Sequence, residues 1–150
     1  MTGWLRGPAL LVAVLVLVGC EGQPCWGCYG GGITDPPFTA TLSPRYLRVE
    51  RGETMGGPLR VEITPEYPSR FILTTCLRKR DDSFPPPGIY LVGTDPENPW
   101  SCLIGGAEGP TWYEVYLAVR PEVPPGVYPL RLQVGNEAVM RRLDFTLEVR

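Results

Sequence analysis

The chain predicts an all-β protein built as a β-sandwich, and three observations carry that expectation. Apolar residues recur at every second position in run after run, the period of a half-buried antiparallel strand. Glycine and proline, 18 of each, punctuate those runs as turn signals and form no single low-complexity block. No stretch makes a helix of convincing length, and proline at this density breaks long helices.

Phe38 with Leu42, then Leu47 with Val49, predict short strands at the front of the domain. Leu59, Val61 and Ile63 alternate with Arg60, Glu62 and Thr64. Phe71, Leu73 and Leu77 share one parity, and residues 89–92 read as a weak central strand. Tyr113, Val115, Leu117 and Val119 alternate with Glu114, Tyr116, Ala118 and Arg120. Tyr128, Leu130, Leu132 and Val134 follow, and the longest run ends the chain: Val139, Leu143, Phe145, Leu147 and Val149. Arg141 falls on the apolar parity of that run, so it belongs near the strand's exposed start or at a bulge. Turn signals lie at Arg51-Gly52, Gly56-Gly57-Pro58, Pro65 to Ser69, Pro124-Pro125-Gly126 and Gly135-Asn136. Seven to eight antiparallel strands between residues 38 and 150 fit a sandwich, with a closed barrel as the rival. Residues 79–111 read as a long Pro-rich central insertion.

The N-terminus is of another kind. Arg6 precedes an unbroken apolar run at residues 9–18, and Leu17-Val18-Gly19-Cys20 closes it. A helix needs about 20 apolar residues to cross a bilayer, so this run reads as a signal peptide over residues 1–19. Its closing tetrad resembles the lipobox of bacterial lipoproteins. The resemblance implies cleavage before Cys20, fatty acylation of that residue (palmitate among the chains) and a domain held outside the cytosol, on the cell membrane or outer membrane. Residues 20–37, with Gly30-Gly31-Gly32 and Pro36-Pro37, are the expected flexible tether, and residues 38–150 the domain.

Composition narrows the chemistry. Loss of Arg6 leaves 13 basic against 16 acidic residues, a net charge of −3, which argues against nucleic acid as a partner. The chain has no histidine, which removes the commonest general base and the usual Ser-His and Cys-His pairs. Five cysteines are an odd number for an exported protein. With Cys20 assigned to lipid, Cys25, Cys28, Cys76 and Cys102 remain, an even set suited to disulfides. Cys25-Trp26-Gly27-Cys28 has the spacing of a redox dithiol or half a zinc site, but no helix follows to lower a thiol pKa. Cys76 lies on the parity opposite Phe71, Leu73 and Leu77, facing away from the core and free to meet the insertion that ends near Cys102. The expected bond is Cys76–Cys102, with Cys25 and Cys28 paired together or left as a dithiol; two cross-pairings are the formal alternatives.

The segment from Pro121 through Pro124-Pro125-Gly126-Val127-Tyr128 into the last two strands is similar to the closing strands of immunoglobulin-like modules of bacterial envelope proteins. Leu47-Arg48-Val49-Glu50-Arg51-Gly52 resembles their opening strand and turn. The resemblance implies an immunoglobulin-like sandwich in which Tyr128 is a corner tyrosine, its hydroxyl bonded to upstream backbone. Tyr90, Trp100, Trp112 and Tyr116, in or beside the insertion, are the candidate binding surface. The favoured reading, however, buries Trp100 and Trp112 as caps on the sandwich end beneath the long loop. Asp81-Asp82 and Asp95 with Glu97 are carboxylates without the spacing of a calcium loop, so no metal or other cofactor is expected, and no two acids are placed as a catalytic pair. The functional expectation is a lipid-anchored, non-catalytic module that binds or positions another envelope component. A glycan- or small-ligand-binding lipoprotein using the insertion is the alternative, and a carboxylate-based hydrolase ranks third.

Overall fold

Alternation becomes two sheets with one shared core. The computed structural model describes residues 35–150, so the lipobox, Cys20, Cys25 and Cys28 lie outside the described residues. Nine strands run in chain order: β1 (Phe38–Ser43), β2 (Tyr46–Val49), β3 (Gly56–Pro65), β4 (Arg70–Lys79), β5 (Ile89–Leu91), β6 (Leu103–Glu108), β7 (Thr111–Val119), β8 (Gly126–Gly135) and β9 (Met140–Val149). One sheet has the order β1-β3-β7-β5 and the other β2-β9-β8-β4-β6. All pairings are antiparallel except β2 with β9, which is parallel. The architecture is an all-β sandwich.

The core is the set the two-residue period selects. Leu59, Val61 and Ile63 of β3, Val115 and Leu117 of β7, Leu130, Leu132 and Val134 of β8, and Leu143, Phe145 and Leu147 of β9 are all buried in one cluster. Each strand contributes its inward parity, because a pleated chain sends successive side chains to opposite faces. Burying a Leu, Val or Phe side chain contributes about 1.5–3 kcal/mol, so a one-residue slip of any long strand exchanges its core for its charged face. Arg141 sits one residue inside β9, exposed, and its Nε donates to the Phe38 carbonyl at 2.8 Å. The strand's open beginning tolerates it there, as expected.

Turn chemistry shapes the connections. The β8–β9 hairpin closes on Asn136, whose side-chain oxygen accepts the backbone N–H groups of Ala138 and Val139 at 2.9 and 3.0 Å. Pro129 lies within β8 but one residue beyond the last β4 partner, Leu130 opposite Lys79, so its missing N–H breaks no ladder on that side. At the start of β3 a Cβ on Gly56 would lie 2.5 Å from Val49, so only glycine lets the strand close over β2.

Two expectations need correction. Among the described residues the strands number nine, not seven or eight, because Leu103–Glu108 is a strand. Residues 79–111 are accordingly no single insertion: β5 and β6 lie within them, leaving one loop at residues 80–88 and another at 92–102. The described residues just before β1 also pack on the domain. Pro36 is buried, its carbonyl accepts from Asn136 Nδ2 at 2.8 Å, and the Asp35 carboxylate accepts the Glu137 N–H at 3.0 Å.

Candidate functional site

The Cys76–Cys102 disulfide forms, with Cα atoms 4.6 Å apart. Thr75 pairs with Leu103, so the bond is the next rung of the β4–β6 ladder. Cys76 points outward between buried Thr75 and Leu77, as parity requires. A disulfide belongs to oxidising compartments outside the cytosol. It anchors the end of the 92–102 loop, and that loop builds a pocket.

The pocket lies between the two Pro-rich loops and holds about 460 Å³. Pro85, Pro86 and Pro87 form one wall and residues 94–99 the other; Ile89, Leu91 and Leu77 reach it from the core side. Gly88 turns the first loop with φ 89°, and a Cβ there would meet Val123 at 2.7 Å. Asp95 shapes the second loop by accepting the Glu97 N–H at 3.0 Å. Across the mouth, the Arg120 guanidinium pairs with Glu97 at 2.9 Å and lies 5.8 Å from the centre of the Tyr90 ring. The carboxylate raises the Arg120 pKa, chiefly through this hydrogen bond.

Tyr90 also begins a stripe on the outer face of the four-stranded sheet. It pairs with Ala118 of β7, and Tyr116, Glu114 and Trp112 follow at two-residue steps on the same face. Tyr116 donates to Glu114 at 3.1 Å. Trp112 stands opposite Glu62 and is 53% exposed, with the Arg60 guanidinium stacked 4.0 Å from its ring centre. Arg60 in turn donates to Glu62 at 3.0 Å.

Trp100 does not join this stripe. It is 71% exposed and meets Phe84 edge-on at 4.7 Å, while Arg78 lies 5.6 Å from the Phe84 ring on its other contact. Arg78 is buried, donates to the Leu77 carbonyl at 2.7 Å, and has its pKa lowered by that burial. Both tryptophans therefore present their rings to solvent, and neither caps the core.

Of the four sequence candidates, Tyr90, Tyr116 and Trp112 share one face, Tyr90 alone lines the pocket, and Trp100 stands apart from both. Sequence reasoning missed Arg60, Arg120 and Phe84, and it singled out Glu97 only as a carboxylate beside Asp95, not as the partner of Arg120. Arg60 carried a signal, its outward parity, but its place beside Trp112 depends on the β3–β7 register. The other carboxylates singled out are engaged. Asp81 accepts the Ser83 N–H and hydroxyl. Asp82 binds Gln133, Arg131 and Arg142 at 2.8, 3.1 and 3.0 Å, and these bonds hold its carboxyl below the usual range, Gln133 first. Among the described residues no three His, Cys, Asp or Glu side chains gather as a metal site, and no helix is long and apolar enough to cross a membrane.

No protein-family model and no curated protein matches the chain. Among solved structures it is similar to the E. coli chaperone DraB, at 12% identity and a TM-score of 0.49, over 75% of this chain and 55% of that one. A family 123 glycoside hydrolase from Clostridium perfringens, described for glycolipid glycan hydrolysis, aligns at 10% identity and a TM-score of 0.46, over 76% of this chain and 27% of that one. The chain thus spans about half of the first structure and about a quarter of the second. Likeness at this level bears on neither activity nor partner.

Proposed function

We propose that this protein is a lipid-anchored, non-catalytic module with an immunoglobulin-like sandwich, which binds another protein of the bacterial cell envelope. The observation that carries the reading is the exposed Trp112–Arg60 stack, continued along β7 by Tyr116 and Tyr90. Trp, Tyr and Arg are the residues that dominate binding energy when an interface desolvates them. On a free sheet face they bury little until a partner arrives. Lipidation at Cys20 holds the domain on the membrane, because each buried methylene contributes about 0.8 kcal/mol and two or more chains make attachment lasting.

Two measurements test this. Mass spectrometry of the native protein should find an acylated N-terminus at Cys20, and Cys20→Ser should release the domain from membranes; a mature terminus elsewhere removes the anchor. Pull-down from solubilised envelope with the tagged, lipidated protein should recover a partner that is lost with the Trp112→Ala/Arg60→Ala pair and retained with Trp100→Ala. Equal recovery by all three proteins sinks the sheet-face reading. The glycan-binding alternative rests on the pocket and the exposed Trp100. It gains only if a glycan array shows binding that Trp100→Ala or Tyr90→Ala abolishes.

A further inference from the structure

We propose that the pocket between the two Pro-rich loops receives an arginine side chain from an extended segment of the partner protein. The proposal rests on the protein-binding reading above and names the chemistry recognised at one end of that surface. Asp95, Glu97 and Glu122 line the cavity with Arg120, and the Arg78 guanidinium lies behind Phe84 and Pro99, so three carboxylates outnumber two cations and the site is complementary to positive charge. Its walls suit the rest of the side chain: prolines 85–87 offer apolar surface to an aliphatic stem, while carboxylates lie at the rim. Arginine stems bury in this way while the head keeps polar partners.

The molecule already places guanidinium groups of its own at the site. Arg120 places its own between the Glu97 carboxylate and the Tyr90 ring, and Arg78 lies against Phe84 on the neighbouring wall. Planar guanidinium stacks on aromatic rings and binds carboxylates in a fork, which an ammonium does not. Tyr90 joins the pocket to the stripe. From Ala118, its partner, to Trp112 is six strand positions, roughly 20 Å at 3.4 Å per residue. One extended segment of about six residues therefore reaches from the pocket to the Trp112–Arg60 stack.

The test is calorimetric titration of the full lipidated chain in detergent micelles with three probes. These are a blocked Gly/Ser octapeptide carrying two arginines, the same peptide carrying two glutamates, and N-acetyl-arginine amide. The arginine peptide should bind, and should weaken as salt is raised. Glu97→Gln with Glu122→Gln should weaken it roughly tenfold, because it removes two partly exposed charge pairs. Glu66→Gln, remote from the site, should leave it unchanged. Arg120→Gln should tighten binding several-fold by freeing Glu97 and the Tyr90 ring, a gain that misfolding cannot imitate. The proposal is overturned by equal binding of the glutamate peptide, by no binding at millimolar peptide, or by no loss in the double carboxylate variant. It is also overturned if N-acetyl-arginine amide binds as tightly as the peptide, which would make the site one for a free small molecule. If these fail while Trp112→Ala/Arg60→Ala still abolishes partner capture, the protein-binding reading stands without the arginine.

Discussion

At the residue scale, single hydrogen bonds decide how the C-terminal half enters its sheet. Tyr128 sits half-buried near the start of β8, its ring against the core, and its hydroxyl donates to the Pro124 carbonyl at 2.5 Å. The bond closes the Pro124-Pro125-Gly126 turn on itself and sets where β8 begins to pair with β9. The hydroxyl is open to solvent, so water competes for both partners. Tyr128→Phe should therefore lower stability by about 0.5–1.5 kcal/mol, the net worth of one such bond, and less than a buried unsatisfied carbonyl would cost. Chemical denaturation at neutral pH reads this directly. An unchanged midpoint would mean that the turn holds without the hydroxyl.

At the scale of elements, β6 shows what the sequence could not convey. Eight of the nine strands announce themselves by alternation, because their inward residues fill a core. β6 reads Leu103-Ile104-Gly105-Gly106-Ala107-Glu108, and of these only Ala107 is buried. It is a strand because six of its residues pair with β4 and because the Cys76–Cys102 bond holds its beginning. Backbone pairing and a covalent tie leave no periodicity in side chains, so the segment resembled a loop. The disulfide itself was legible, since parity alone put Cys76 on the outer face. The site was legible only in part. Tyr90, Trp112 and Tyr116 could be placed by parity, whereas Arg60, Arg120 and Glu97 meet them through register and loop closure, which are long-range properties of the fold. Cys76→Ser with Cys102→Ser should destabilise the domain by about 3 kcal/mol on the chain-entropy account. The same pair should raise amide exchange in β6 and the 92–102 loop above that in β8 and β9. Non-reducing peptide mapping should recover the Cys76–Cys102 peptide; a peptide joining either to Cys25 or Cys28 would overturn the pairing. Uniform exchange across all strands would show that the bond does not hold β6.

At the scale of the whole molecule, the outer face of the five-stranded sheet is a lattice of arginine–carboxylate contacts that joins elements distant in sequence. Asp82, on the loop after β4, reaches Arg131 of β8 and Arg142 of β9. Asp144 of β9 pairs with Arg131 at 2.8 Å, a bond that leads the causes lowering its pKa. Glu148 of β9 accepts from the Tyr46 hydroxyl at 2.5 Å and pairs with Arg48 and Arg150, tying the short edge strand β2 to the sheet. Tyr46 first and Arg150 second bring the Glu148 pKa down from 4.5 to about 2. A carboxylate whose folded pKa is depressed contributes stability above its unfolded pKa and loses that contribution as pH falls through the folded one. Stability should therefore be nearly flat from pH 8 to about pH 5 and decline from about 4.5 towards 2, the interval through which Glu148 protonates. These groups are largely exposed, so each effect is small and weakened by salt. The decline should be visible because several carboxylates shift the same way, Asp81 and Asp82 among them. Denaturant midpoints measured in steps across that range, at low and high salt, provide the check. Glu148→Gln and Asp82→Asn should each make the decline shallower, because each removes one depressed carboxylate. If a variant carrying both Glu148→Gln and Asp82→Asn declines as steeply as the parent, the acid sensitivity resides elsewhere in the chain and this lattice does not hold the sheet together.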